Sequence, residues 1–342
     1  MARLLSKGAA NKFKLSLLPA DPNDHHPTFE VRASQPDAPE VAGTTGVAIA
    51  SGVYFYLKQY CGCSVTWGAG QNGTAGVTWG VDQLDLPLVL PAVAITQRHR
   101  AATRFSWAFN VVGFSYSSVW WDWARWEREL DFMALHGVNL ALAFIGQEQL
   151  WNRMYEQLGL SAAQIDAYFS GPAYLSWERM GNLQLFAGPL PASWRQEQFA
   201  LQKKILQRMV SLGVEPVLPC FAGIGLPNAT ASLFPNASWG HLPDYAGLPA
   251  NSTGNLLLSA LDPLYPELAA KWVRILALRP AHSAEQRHLG RRLPPPLRLP
   301  APLRLRSAGG ALARRAGRRR RRDSDLRYEN VRKVYRRCRN ET

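Results

Sequence analysis

The sequence predicts an α/β fold: a small N-terminal α/β domain, an incomplete (β/α)8 barrel of about three βα units, and a disordered Arg/Pro-rich tail. Three observations carry this. A helix-glycine-strand pattern occurs twice, ending helices at Gly137 and Gly213 and feeding the apolar runs Val138–Phe144 and Val214–Pro219. Near-continuous apolar strands that follow helices belong to parallel sheets covered on both faces. Composition then breaks after Leu278: all 12 tryptophans lie at or before Trp272, and the remainder holds no Trp, Phe, Ile or Met. Charge breaks at the same place. Residues 279–342 hold 20 of the 39 Lys and Arg but 5 of the 25 Asp and Glu, so the body carries 19 basic against 20 acidic side chains. The formal charge of +14 is therefore a property of the tail, and the body has no nucleic-acid signature.

The first domain is expected over residues 1–100. Phe13–Leu18 and Phe29–Arg32 alternate as strands do, and Gly46–Tyr60 sets Val47, Ile49, Val53 and Leu57 at helical spacing. Ser64–Trp67 reads as a short strand, Gly68–Gly80 as a Gly/Asn-rich loop and Leu86–Pro91 as an extended linker. Residues 101–278 carry the βα rhythm. A first strand follows Arg104, and a helix after Trp121 recurs through Trp123, Trp126, Leu130 and Met133. Helices Trp151–Leu158 and Ala162–Phe169 are inserted between the units, and a helix from about Trp194 aligns Leu201, Ile205, Met209 and Leu212. Phe221–Asp262 is a long Gly/Asn/Pro-rich loop at the carboxyl end of the third strand, the face on which βα barrels build their sites. A last helix, Pro266–Leu278, precedes the tail of 279–342, which lacks the apolar surface to offset its ordering entropy.

Cys61, Cys63, Cys220 and Cys338 make no disulfide framework, and Cys61-Gly-Cys63 is too tight for an ordinary zinc site, so small buried thiols are expected. Asn72, Asn228, Asn236, Asn251 and Asn340 head N-glycosylation sequons, three of them in the long loop, which leans toward a secretory route. No signal peptide and no membrane-spanning run is read in the chain.

The densest feature is Val119-Trp-Trp-Asp-Trp-Ala-Arg-Trp-Glu-Arg-Glu129, with four tryptophans in seven residues. Helical spacing assigns most of them to core packing, while an aromatic floor for a sugar is the other use of such a cluster. This run stands in order with Tyr60-Cys-Gly-Cys63, Ser115-Tyr-Ser, Gly146-Gln-Glu148, Trp177-Glu-Arg-Met-Gly-Asn-Leu183, Gly188-Pro-Leu-Pro191, Phe221-Ala-Gly223 and Ser238-Trp-Gly-His241. Together, from about residue 2 to about residue 275, these elements resemble the alpha-N-acetylglucosaminidases of glycoside hydrolase family 89. The resemblance covers an N-terminal domain and the first part of a TIM barrel, a fragment whose basic tail is foreign to the family.

Membership implies a retaining exo-glycosidase that hydrolyses terminal alpha-linked N-acetylglucosamine from glycans such as heparan sulfate, in a lysosomal, vacuolar or secreted setting. One Glu would act as acid/base and a second as nucleophile. It implies no cofactor and no metal; a membrane span and a nucleic-acid partner are not expected. The family's acid/base follows an Asn in an Asn-Glu-Met context on the fourth strand, and its nucleophile lies further on. Neither has a counterpart here, so no catalytic residue is assigned and the chain as it stands is expected to be inactive. Three substrate-binding residues carry over: Asn110 in Phe109-Asn-Val111, Trp177 and Trp239. Local capping is the alternative for Asn110, and core packing for the two tryptophans. Where the family has a pocket cysteine two residues after the asparagine, this chain has Val112. Glu148 has a barrel-enzyme address but matches neither catalytic glutamate, and His241 reads as a polar loop contact. Two further functions stay open: a non-catalytic sugar-binding remnant, and polyanion binding through Arg318–Arg322.

Overall fold

A computed structural model describes residues 5, 7–19, 21–65 and 86–277. The described residues up to Ile275 form one compact unit. The expected loop Gly68–Gly80, the end of the strand Ser64–Trp67 and the basic tail lie outside the described residues.

The N-terminal layer comprises α1 (Lys7–Asn11), β1 (Lys14–Leu17), β2 (Thr28–Arg32), β3 (Glu40–Gly43), α2 (Gly46–Tyr60) and β4 (Gln97–Arg100). Its sheet runs β1-β3-β2-β4, with β1 parallel to β3 and the other pairs antiparallel. Thr45 caps α2, its side chain accepting from the Ala48 amide. From that start Val47, Val53, Tyr56 and Leu57 are buried, and a core forms with Val31, Val41, Cys61 and Cys63. Both cysteines are buried, and burial pushes the Cys61 thiol up to about 11.

The second sheet is the parallel array that the repeated pattern predicts. Its strands β5 (Trp107–Ala108), β6 (Leu140–Leu142) and β7 (Glu215–Val217) lie side by side in sequence order. Between β5 and β6 come α3 (Gly113–Tyr116) and α4 (Trp123–Leu135). Between β6 and β7 come α5 (Gln147–Leu158), α6 (Ala162–Asp166), α7 (Leu175–Arg179) and α8 (Ala192–Leu212). Asp122 caps α4 by accepting from the Arg125 amide at 2.8 Å. Gly137 and Gly213, at φ 79° and 85°, let the chain turn from α4 and α8 into the next strands. The strands are shorter than the apolar runs because only their centres join the ladder; Ala143 continues it with a single bond to Val217 O at 2.9 Å.

The loop after β7 is more ordered than its composition implies. It holds α9 (Ala229–Leu233) and an antiparallel ribbon of β8 (Trp239–His241) with β9 (Leu256–Leu258) before α10 (Leu264–Ala277). Trp272 of α10 is buried and donates to Pro219 O at 3.0 Å. The tryptophan run divides: Trp126 is 1% exposed and Trp120 is 63% exposed, because Trp120 precedes the helix and escapes its periodicity. Trp121 packs edge-on to Trp126 at 5.0 Å and lies under the Arg125 guanidinium.

The two layers share α2, which packs on the sheet of the first and on α4 and α8 of the second. Ser51 Oγ donates to Val47 O at 3.0 Å and to Ala134 O of α4 at 3.3 Å. At Gly46 a Cβ would collide with the Leu212 carbonyl oxygen, so only glycine allows this approach to α8. No helix among the described residues is long and apolar enough to cross a membrane.

Candidate functional site

The chain leaves β5 through a strained residue. Phe109 has φ 75°, a left-handed conformation that is costly for a bulky side chain. Its ring is held at 5.5 Å from Trp126 and 6.0 Å from Phe144, and its carbonyl accepts from Trp107 Nε1 at 2.8 Å. The buried part of the tryptophan run thus fixes the backbone just before Asn110. Asn110 is exposed, and its Oδ1 accepts from the Val112 amide at 2.7 Å, which orients the carboxamide with its nitrogen retaining its donors.

Two serines join this turn to α7. Ser176 Oγ donates to Val111 O at 2.9 Å, and the Ser176 amide donates to Ser115 Oγ at 2.9 Å. They bring Trp177, half-buried, alongside Tyr116, whose ring is edge-on at 5.6 Å and 72% exposed. Asn110, Tyr116 and Trp177 therefore form one corner at the carboxyl end of β5. A carboxamide beside exposed aromatic faces is the chemistry that holds a sugar, through its hydroxyls and its C–H faces. Sequence reasoning singles out Asn110 and Trp177 but not Tyr116, whose only signal is its place in Ser115-Tyr-Ser.

Trp239 stands elsewhere, on the ribbon, half-buried with its indole donating to Phe234 O at 2.9 Å. His241 Nδ1 lies 2.8 Å from Gly254 O, a polar loop contact as expected. The ribbon is tied to the segment after Trp177 by Asn255, whose Nδ2 donates to Gly181 O at 2.6 Å and Leu183 O at 2.9 Å.

Beneath the corner lies a buried polar cluster. Glu148, 1% exposed, pairs through Oε1 with Arg179 Nε at 2.8 Å, and the Arg179 guanidinium sits 3.9 Å above the Phe114 ring. Glu178 is buried beside it and accepts from the Ser170 amide. Burial pushes Glu178 up to about 8; the Ser170 bond pulls the other way, and the Glu148 charge adds to the rise. On α4, burial raises Glu129 to about 7 against the pull of Arg125. The cavity between Glu148, Tyr155, Tyr168, Glu178 and Arg179 is about 60 Å³. Ligand pockets are typically roughly 300 Å³ or more, so this cavity by itself is too small for a sugar. Among the described residues no cluster of three or more His, Cys, Asp or Glu could hold a metal ion.

Residues 106–279 match the family model described as the Alpha-N-acetylglucosaminidase (NAGLU) tim-barrel domain, and residues 1–92 match the corresponding N-terminal domain. Human Alpha-N-acetylglucosaminidase is 42% identical over 285 residues, which are 81% of this chain and 36% of that protein. Structures of a family 89 glycoside hydrolase from Clostridium perfringens, with PUGNAc and with a 2-acetamido-1,2-dideoxynojirimycin ligand, superpose with TM-score 0.70 at 27% identity. A doubly substituted form of that enzyme holds its substrate GlcNAc-alpha-1,4-galactose, with the same score. The matches cover 80% of this chain and 30% of the bacterial one, so the chain spans about a third of the length of its relatives.

Proposed function

The chain belongs to the alpha-N-acetylglucosaminidase family, glycoside hydrolase family 89, and on that premise we propose that it supplies the sugar-holding portion of a retaining exo-glycosidase acting on terminal alpha-linked N-acetylglucosamine. In this reading residues 1–100 are the N-terminal domain, 101–278 the early barrel and 279–342 an unrelated tail. The natural substrate class is a glycan such as heparan sulfate, met in a lysosomal, vacuolar or secreted compartment. The exposed sequon asparagines Asn228, Asn236 and Asn251 support that route.

The observation that carries the reading is the corner at the end of β5, where Ser176, next to Trp177, is bonded to Val111, next to Asn110, and to Ser115. Asn110 would donate to sugar hydroxyls, Trp177 and Tyr116 would pack on the ring, and Trp239 would close a more distant wall. A retaining mechanism also needs two carboxyl groups about 5 Å apart across the glycosidic bond. Glu148 and Glu178 are committed to Arg179 and Ser170 in the interior. The same burial favours glycan binding without turnover by these 342 residues.

Saturation-transfer NMR with an alpha-linked N-acetylglucosaminide, run beside a chromogenic assay, tests both parts. Ligand saturation that disappears in Asn110→Ala and Trp177→Ala, with no release of chromophore, is expected. Turnover by the chain alone refutes the assignment of no catalytic pair, and saturation unchanged in both variants refutes the corner.

A further inference from the structure

Three residues that line the cavity beneath α7 carry buried polar atoms that no protein group satisfies. Glu148 Oε2, the Tyr168 hydroxyl and Arg179 Nη1 are buried without hydrogen-bond partners, on side chains of which Glu148 is 1% and Tyr168 4% exposed. The contrast with Tyr155 on the same wall is informative, since its hydroxyl donates to Gly225 O. A buried polar atom left unsatisfied is destabilising, and native proteins rarely tolerate three together.

The three groups are complementary in kind. A carboxylate oxygen only accepts, a guanidinium N–H only donates, and a phenol does both. Water is the ligand that accepts from Arg179, donates to Glu148 and does either with Tyr168. A cation fits poorly, because the guanidinium of Arg179 stands in the wall with the two carboxyl groups. The volume agrees: about 60 Å³ accommodates about two waters.

We propose that this cavity is a built water site, in which about two ordered waters bridge Glu148 Oε2, the Tyr168 hydroxyl and Arg179 Nη1. These waters tie together α5, α7, the segment after α6 and the loop through Cys220 and Gly225. Arg179 lies two residues after Trp177, so the site seats the Trp177 helix from below. The inference does not depend on whether Trp177 meets a sugar.

The test is a crystal structure of the 342-residue chain with urea denaturation of Tyr168→Phe. Density for water about 2.7–3.2 Å from Glu148 Oε2 and the Tyr168 hydroxyl is expected. Tyr168→Phe is expected to lower the folding equilibrium constant about fivefold, the loss of a bridging hydrogen bond. The sign separates the alternatives, since removing a hydroxyl that is buried dry and unpaired raises stability. A dry cavity, a stabilised variant, or a bound cation with oxygen contacts nearer about 2.0–2.6 Å overturns the proposal. Where the variant does not fold, the electron density of the unsubstituted chain decides.

Discussion

Glu178 makes stability depend on pH in a direction opposite to that of a surface carboxylate. Its folded value of about 8 lies above the ordinary 4.5, so the folded chain holds a proton that the unfolded chain has released between those values. Stability is fully present below about pH 4.5 and falls as pH rises, by about 1.4 kcal/mol per pH unit, until Glu178 ionises near 8. The whole loss is about 5 kcal/mol, of which about 3 kcal/mol has occurred by pH 7. Glu178→Gln keeps an acceptor for the Ser170 amide and removes the titration. Urea denaturation of both proteins from pH 5 to 9 gives the difference between them, in which every other titrating group cancels. That difference should grow in favour of the variant up to pH 8 and then level off. A difference that does not change with pH would falsify the account of Glu178 as a neutral buried acid.

Four further outcomes follow from the packing and the surface. Gly46→Ala forces a Cβ onto the Leu212 carbonyl and should cost about 2–3 kcal/mol in urea titration, whereas no change would place the α2–α8 approach elsewhere. Trp126→Ala should cost about 3–5 kcal/mol, while Trp120→Ala stays within about 0.5 kcal/mol; equal losses would undo the division of the tryptophan run. Asn110→Ala and Trp177→Ala should each abolish ligand saturation, and Asn110→Ala should leave the melting temperature within about 2 °C, since the Asn110 side chain is exposed. Expressed through a secretory pathway, the chain should carry glycans at Asn228, Asn236 and Asn251, seen as mass lost on enzymatic deglycosylation; unmodified asparagines at all three would count against that route.

What the sequence made legible depended on periodicity. The helix over 46–60 and the two helix-glycine-strand units were readable because their apolar positions recur and a glycine ends each helix where φ must be positive. Four strands were not. β3 is four residues, Glu-Val-Ala-Gly, without a clear alternation, although it lies inside the first sheet. β4 is Gln-Arg-His-Arg, polar throughout because it is an edge strand, where Arg98 pairs with Glu30 across the β2 ladder. The ribbon of β8 and β9 has strands of three residues set among glycine and proline, too short for a period. The site followed the same rule. Asn110 and Trp177 came from a motif, but the burial of Glu148 and Glu178 is a tertiary property that a local acidic signature does not reveal.

The sharing of α2 bears on how the chain is made. The helix leaves the ribosome with its sheet, yet the surface that its outer face needs arrives much later: Ser51 waits 83 residues for Ala134, and Gly46 waits longer still for Leu212. During synthesis the first layer therefore carries an apolar flank with no native cover. Docking of that flank onto α4 and α8 has to wait until both helices have emerged.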